Sequence, residues 1–149
     1  MSTLTYTDAL ERLESDFLTP IVPGELVSWL ATVSESAQFA GAMLWRHVEG
    51  DNQTEYAEII AQDREMFARV EQLKTGDREC YRQMEALLDH IIRFQRESLR
   101  QEWNESMARF PVETLIKQGL AWVIDAKRQE KSRETWFNEA FQRDRGGGD

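Results

Sequence analysis

Four polar residues, His47, Asp63, Gln95 and Glu130, each interrupt an apolar series spaced three and four residues apart. On a helix that spacing marks the face turned to a core, where an unpartnered polar group is costly to bury. Residues so placed are partnered, shifted in protonation, bound to a ligand, or opened to solvent. A shared core site for a metal or a small ligand is therefore the chemistry they could do, since bundles build sites from facing side chains. The metal version lacks its spacing. A Glu-x-x-His pair sets two ligands on one helix face, yet Leu44 and Leu87 stand three residues before His47 and His90, the only two histidines. His47 and Asp51, four apart, could touch one ion, but Asp51 reads as part of a turn. The sequence names no metal and no cofactor. In a hairpin turning near residue 51, His47 and Asp63 would sit on the order of 12 Å apart in level, so they are not expected to meet. For Asp63 and Glu130 the expected setting is a pairing with an arginine such as Arg133, or a rim position. Gln95 is expected to set helix register.

Nucleophiles are scarce. Cys80 is the single cysteine, which excludes an intramolecular disulfide and a cysteine-based zinc site. Placed in the first turn of a helix it would carry a lowered thiol pKa; an inert, partly buried cysteine is the alternative. No Ser/His/acid order, Gly-rich phosphate loop or HExxH pattern is present, so the reading leans away from an enzyme. The aromatics Trp122, Trp136, Phe137 and Phe141 crowd the last helix. They are either core or an interface, and as an interface they imply a homodimer or another protein partner.

The elements that must position these residues are helical. Gly (8) and Pro (3) are too scarce among 149 residues for a turn-rich β fold. Helices are expected at about 6–17, 25–49, 54–74, 78–108 and 112–143. The expected breaks are Pro20 to Gly24, Gly50-Asp51-Asn52, Thr75-Gly76-Asp77 and Phe110-Pro111. The expectation is an all-α fold, an up-down-up-down four-helix bundle over 25–143. A short N-terminal helix or arm (1–24) precedes it and a flexible tail (144–149) follows, all in one domain. The net charge of −9, with no basic element left unopposed, argues against nucleic acid. No window approaches ~18 apolar residues, so no membrane span is expected. The start of the chain has neither the basic nor the apolar region of a secretory signal, and a cytoplasmic setting is expected.

With four long helices behind a short arm, the layout resembles the hemerythrin-like bundles. The ending Thr135-Trp136-Phe137-Asn138-Glu139-Ala140-Phe141-Gln142-Arg143-Asp144-Arg145-Gly146 is similar to the end of an uncharacterised bacterial helical-bundle family. The first resemblance implies a bundle scaffold. It would also imply an oxygen-binding di-iron centre held by five histidines and two carboxylates, but His47 and His90 are followed four residues on by Asp51 and Phe94. What it leaves is the scaffold without the iron. The expected role is a non-enzymatic bundle acting by protein interaction or self-association; the alternative is a metal- or ligand-binding bundle with a degenerate core site.

Overall fold

The computed structural model describes residues 4–100 and 105–146, apart from the side chains of 105, 106 and 143–146. The chain folds as α1 (Tyr6–Leu18), α2 (Leu26–Arg46), a π-helical turn (His47–Asp51), α3 (Asn52–Gln62), a 3₁₀ turn (Arg64–Met66), α4 (Phe67–Arg100) and α5 (Glu105–Gly146). Among the described residues there is no strand, and no helix is long and apolar enough to cross a membrane.

The first helix forms where its ends are satisfied. The Thr5 hydroxyl accepts from the Asp8 N–H at 3.1 Å while the Asp8 carboxylate accepts from the Thr5 N–H at 2.9 Å, a reciprocal cap for two otherwise unpaired donors. Tyr6, Ala9, Leu10, Leu13 and Phe17 form its buried stripe. Thr19, extended ahead of Pro20, ends it. Gly24, at φ +84°, then turns the chain into α2.

Three expected breaks are not there. The helix begun by α2 runs through Gly50, Asp51 and Asn52 without a turn, and α4 runs through Thr75, Gly76 and Asp77. A glycine stop relies on positive φ, which neither Gly50 nor Gly76 has. The stop comes instead at Asp63, whose extended backbone leaves the helix and whose carboxylate caps the 3₁₀ turn by accepting from the Glu65 N–H at 3.0 Å. Pro111 also lies inside α5; it forfeits one backbone donor there without ending the helix. α4 is described to Arg100 and α5 from Glu105, and Trp103 of the expected third seam lies outside the described residues. Of the expected tail, 144–146 belong to α5 and 147–149 lie outside the described residues.

The helices neighbour one another in a ring, α1 on α2, α2 on α4, α4 on α5 and α5 on α1. Between α4 and α5 the contacts run in opposite numerical order. Leu73, Cys80 and His90 of α4 meet Gln129, Trp122 and Gln118 of α5. Four helices therefore pack in the half that includes α1, and three, α3 with the first part of α4 and the second part of α5, in the other. Each half has its own apolar cluster. One is centred on Leu13, Leu30, Val33, Met84, Leu87, Ile91 and Leu115; the other on Tyr56, Ile59, Met66, Val70 and Leu73.

Candidate functional site

Between the two apolar clusters lies a layer of buried polar side chains, and Asp77 is its hub. The Asp77 side chain sits on the inner stripe of α4, which reads Val70, Leu73, Asp77, Cys80, Met84, Leu87, Ile91, Phe94, and it is 3% exposed. Its carboxylate accepts from the Tyr56 hydroxyl at 2.6 Å, from Asn52 Nδ2 at 3.2 Å and from Gln129 Nε2 at 3.0 Å. Gln129 Nε2 also donates to the Leu73 carbonyl at 2.7 Å. Gly76 makes room for this. A Cβ there would lie 2.3 Å from Gln129 Oε1, so the glycine in the middle of α4 is a close-approach site, not a stop.

The π turn delivers the next residues. Its wider loop, closed by the Asn52 N–H donating to the His47 carbonyl, brings Asn52 onto Asp77; such bulges inside α-helices recur at functional sites. Gln53 Nε2 donates to the Val48 carbonyl within it at 3.1 Å. On the far side, Arg133 of α5 bonds to Glu55 of α3 and, at 2.8 Å, to Glu130 of its own helix. One guanidinium thus serves two carboxylates with Asp77 close by. Burial, then Asp77 and Glu134, push the Glu130 carboxyl up to about 7. Arg133 is shared between Glu130 and Glu55, one cation between two acids.

Four buried side-chain atoms in this neighbourhood have no hydrogen-bond partner: Tyr6 Oη, His47 Nδ1, Asn52 Oδ1 and Arg133 Nε. They are the whole set of such atoms among the described residues, and they converge from four elements. The Tyr6 ring lies 5.1 Å from that of His47; the Tyr6 hydroxyl is beside the Cys80 thiol and within reach of the charges of Glu130 and Asp77; His47 lies beside Asn52 and Arg133. Burial lowers the His47 pKa, with Asp51 opposing, so the imidazole is held towards its neutral form. Buried polar atoms are paired in the great majority of cases, and the nearest partners here are the Cys80 thiol for the Tyr6 hydroxyl and the Asn52 side chain for His47.

The layer offers hydrogen bonds and no nucleophile. Burial drives both phenols, Tyr6 and Tyr56, far above the usual tyrosine range and pushes the Cys80 thiol up to about 12. This reverses the expectation for Cys80. It is not in a first turn but the fourteenth residue of α4, where no helix N-terminus lowers its pKa. Among the described residues no three His, Cys, Asp or Glu side chains group so as to hold a metal.

The expected site residues divide. Glu130 belongs to the layer and pairs with Arg133, and His47 borders it with Nδ1 3.9 Å from Asp51. Asp63 does not join them, lying sixteen residues, about 24 Å, beyond His47 along the same run of helix. The two are apart because no hairpin separates them, not because a hairpin sets them at different levels. Gln95 is half-buried some 27 Å along α4 from Asp77. His90 is hydrogen-bonded to Gln118, away from the layer. Of the aromatic candidates, Trp122 falls on the core side of the two expected settings: it is 3% exposed and donates to the Cys80 carbonyl at 2.9 Å. Trp136 and Phe137 pack half-buried on the smaller cluster. The Arg69 guanidinium stands 4.6 Å from the Trp136 ring centre, and Phe137 and Phe141 pack together at 4.6 Å. Asp77, Asn52, Tyr56, Gln129 and Tyr6 were not anticipated. The signal for Asp77 was there, since the three-four series running through Leu73 continues to 77 and 80 once Gly76 is not taken as a stop.

Comparison with protein-family models, with curated proteins and with solved structures finds no match.

Proposed function

We propose that the protein is a non-enzymatic helical bundle that works by binding, and that the polar layer between its two apolar clusters is the site. The observation that carries this is the convergence of four unpartnered buried polar atoms from α1, the π turn, α3 and α5. The alternation up-down-up-down belongs to the same reading, with α1 as the fourth rod of the larger half; the opposed register of α4 and α5 supports it. So does a scaffold of hemerythrin-like type, for which the support is only the helical layout.

The test is a thermal-shift screen of small polar compounds against the full chain and against Tyr6→Phe and Asn52→Leu. A compound that raises the melting temperature of the wild type and not of the variants supports the reading. A screen in which every effect is the same in all three proteins rejects it.

Self-association is the second reading. What favours it is not Trp122, Trp136, Phe137 or Phe141 but the end of the α4–α5 pair, where Leu99 (75%), Met107 (52%) and Phe110 (76%) are exposed. Light scattering decides it: a dimer that Phe110→Ser dissociates supports this reading, and a monomer at all concentrations rejects it.

A further inference from the structure

We infer that the seam between α2 and α4 holds a binding site distinct from the polar layer, a pocket for a small free organic ammonium ion with methyl groups on its nitrogen. A cavity of about 320 Å³ opens there, at the small end of the roughly 300–1,000 Å³ that ligand pockets occupy. Glu85 in its lining stands eight residues, about 12 Å, along α4 from Asp77.

Residue size makes the hollow. Gly41 of α2 sits so close to α4 that a Cβ there would lie 3.2 Å from Met84 Cγ and 3.6 Å from Leu88 Cδ1. Ala42, next to it and exposed, covers little of the seam. One turn away on each helix stand large rings. Trp45 follows Gly41 by four residues, Tyr81 precedes Glu85 by four, and the two rings lie 4.9 Å apart with their planes at 46°. They form a corner of the cavity and not a parallel stack. Trp45 is 48% exposed, so aromatic surface stays accessible beside the opening.

The polar members of the lining select the charge. Glu85 is exposed, and among the described residues no cation pairs with it; Arg82 is bonded to Glu79 and Arg93 to Asp89. Gln38 donates through its amide nitrogen to Ser34 Oγ at 3.0 Å, which leaves its carbonyl oxygen to accept. No lysine, arginine or histidine is among the described residues that line the cavity. An anion therefore meets Glu85 without a counter-charge, in a chain of net charge −9. A cation meets a carboxylate and two electron-rich rings. A hard metal cation requires several oxygen ligands and finds one carboxylate and one amide. A methylated ammonium requires no hydrogen-bond partners and presents apolar surface to Leu88, Trp45 and Tyr81.

Choline is titrated into the full chain beside its uncharged isostere, in which carbon replaces nitrogen, and beside ammonium, acetate and phosphocholine. The readout is the NMR signal of the Trp45 indole N–H, identified by its disappearance in Trp45→Leu. The expected result is a saturable shift with choline at millimolar concentration and binding of the isostere weaker by roughly tenfold, as a cation on aromatic rings beside an exposed carboxylate implies. Ammonium and acetate give no shift, and phosphocholine, with a phosphate beside the same group, binds more weakly than choline. Glu85→Gln keeps the shape and weakens choline about threefold. Ala42→Leu fills the hollow from an exposed helix position and abolishes the shift. Equal binding of choline and its isostere overturns the inference, and that comparison needs no variant, so it decides even if a variant misfolds. A shift that survives Ala42→Leu places choline elsewhere and overturns it too, as do an unchanged affinity in Glu85→Gln, a matching shift with ammonium or acetate, and no shift at all. Phosphocholine bound as tightly as choline points to a lipid headgroup and overturns the free ion.

Discussion

Among the described residues, 23 buried ones form one continuous apolar cluster in the half closed by α1, whereas six do beyond the polar layer. The larger cluster can carry most of the stability. α1 contributes five of its side chains, each at or below 3% exposure, and a helix of 13 residues that is not stable alone is held there by that burial. The smaller cluster is three helices wide and depends on the layer beside it, where Tyr56 belongs at once to the apolar cluster and to the Asp77 network. Polar groups are tolerated where the core thins from four helices to three. A binding site located there disturbs the dry half least.

Cutting into the two clusters is the harshest way to test this contrast. Leu13→Ala should cost about 4 kcal/mol in urea denaturation, and Ile59→Ala, a side chain of the same size, only about 2, because fewer buried neighbours surround it. Equal losses at the two positions would erase the distinction between the halves. Next comes the hub. Asp77→Ala leaves the Tyr56 hydroxyl, Asn52 Nδ2 and Gln129 Nε2 without their acceptor and should cost roughly 3 kcal/mol. A loss below about 1 kcal/mol would mean the three donors find water and the layer is already wet.

The layer should also make stability depend on pH. Glu130 keeps its proton in the folded state up to about pH 7, while the unfolded carboxyl releases it near its ordinary value. Between those two pH values the folded state binds more protons than the unfolded one. Stability therefore falls as pH rises through that window and levels off above it. After allowance for residual solvent contact the change is on the order of 2 kcal/mol. Glu130→Gln should flatten that fall, read from denaturation midpoints at a series of pH values. His47, with its lowered pKa, acts in the opposite sense, removing stability as pH drops below its ordinary value. The smallest effect is expected at the surface of the dry half. Glu14→Ala breaks the 2.9 Å pair with Lys127 that joins α1 to α5 and should cost only about 0.5 kcal/mol.

Helix type was legible throughout, because the three-four rhythm survives even where the boundaries were misjudged. Two glycines misled the reading for one reason: each stood beside polar residues that look like turn chemistry. Gly76 is there for Gln129 to approach, a tertiary cause that local pattern cannot show. The π turn did leave a trace. The buried series Leu44, Val48, Asn52, Tyr56 steps by four three times running. Each step overshoots a 3.6-residue turn, and the wider π turn absorbs the excess. Glu130 and His47 could be singled out because they interrupt apolar seams. Asp77 was hidden behind the false break, and the partners of the layer come from helices whose register across the bundle no single series reveals.

Amide hydrogen exchange at Asn52 and Asp77 tests the account most directly, since both lie at positions that read as exposed turns in the sequence and as the floor of a buried layer in the fold. The account predicts exchange at both as slow as at Leu87 and Leu115 in the dry core, released only by unfolding of the whole chain. Exchange as fast as in the Pro20–Gly24 connector would contradict it: there would then be two turns where the account has two continuous helices, and no layer between them.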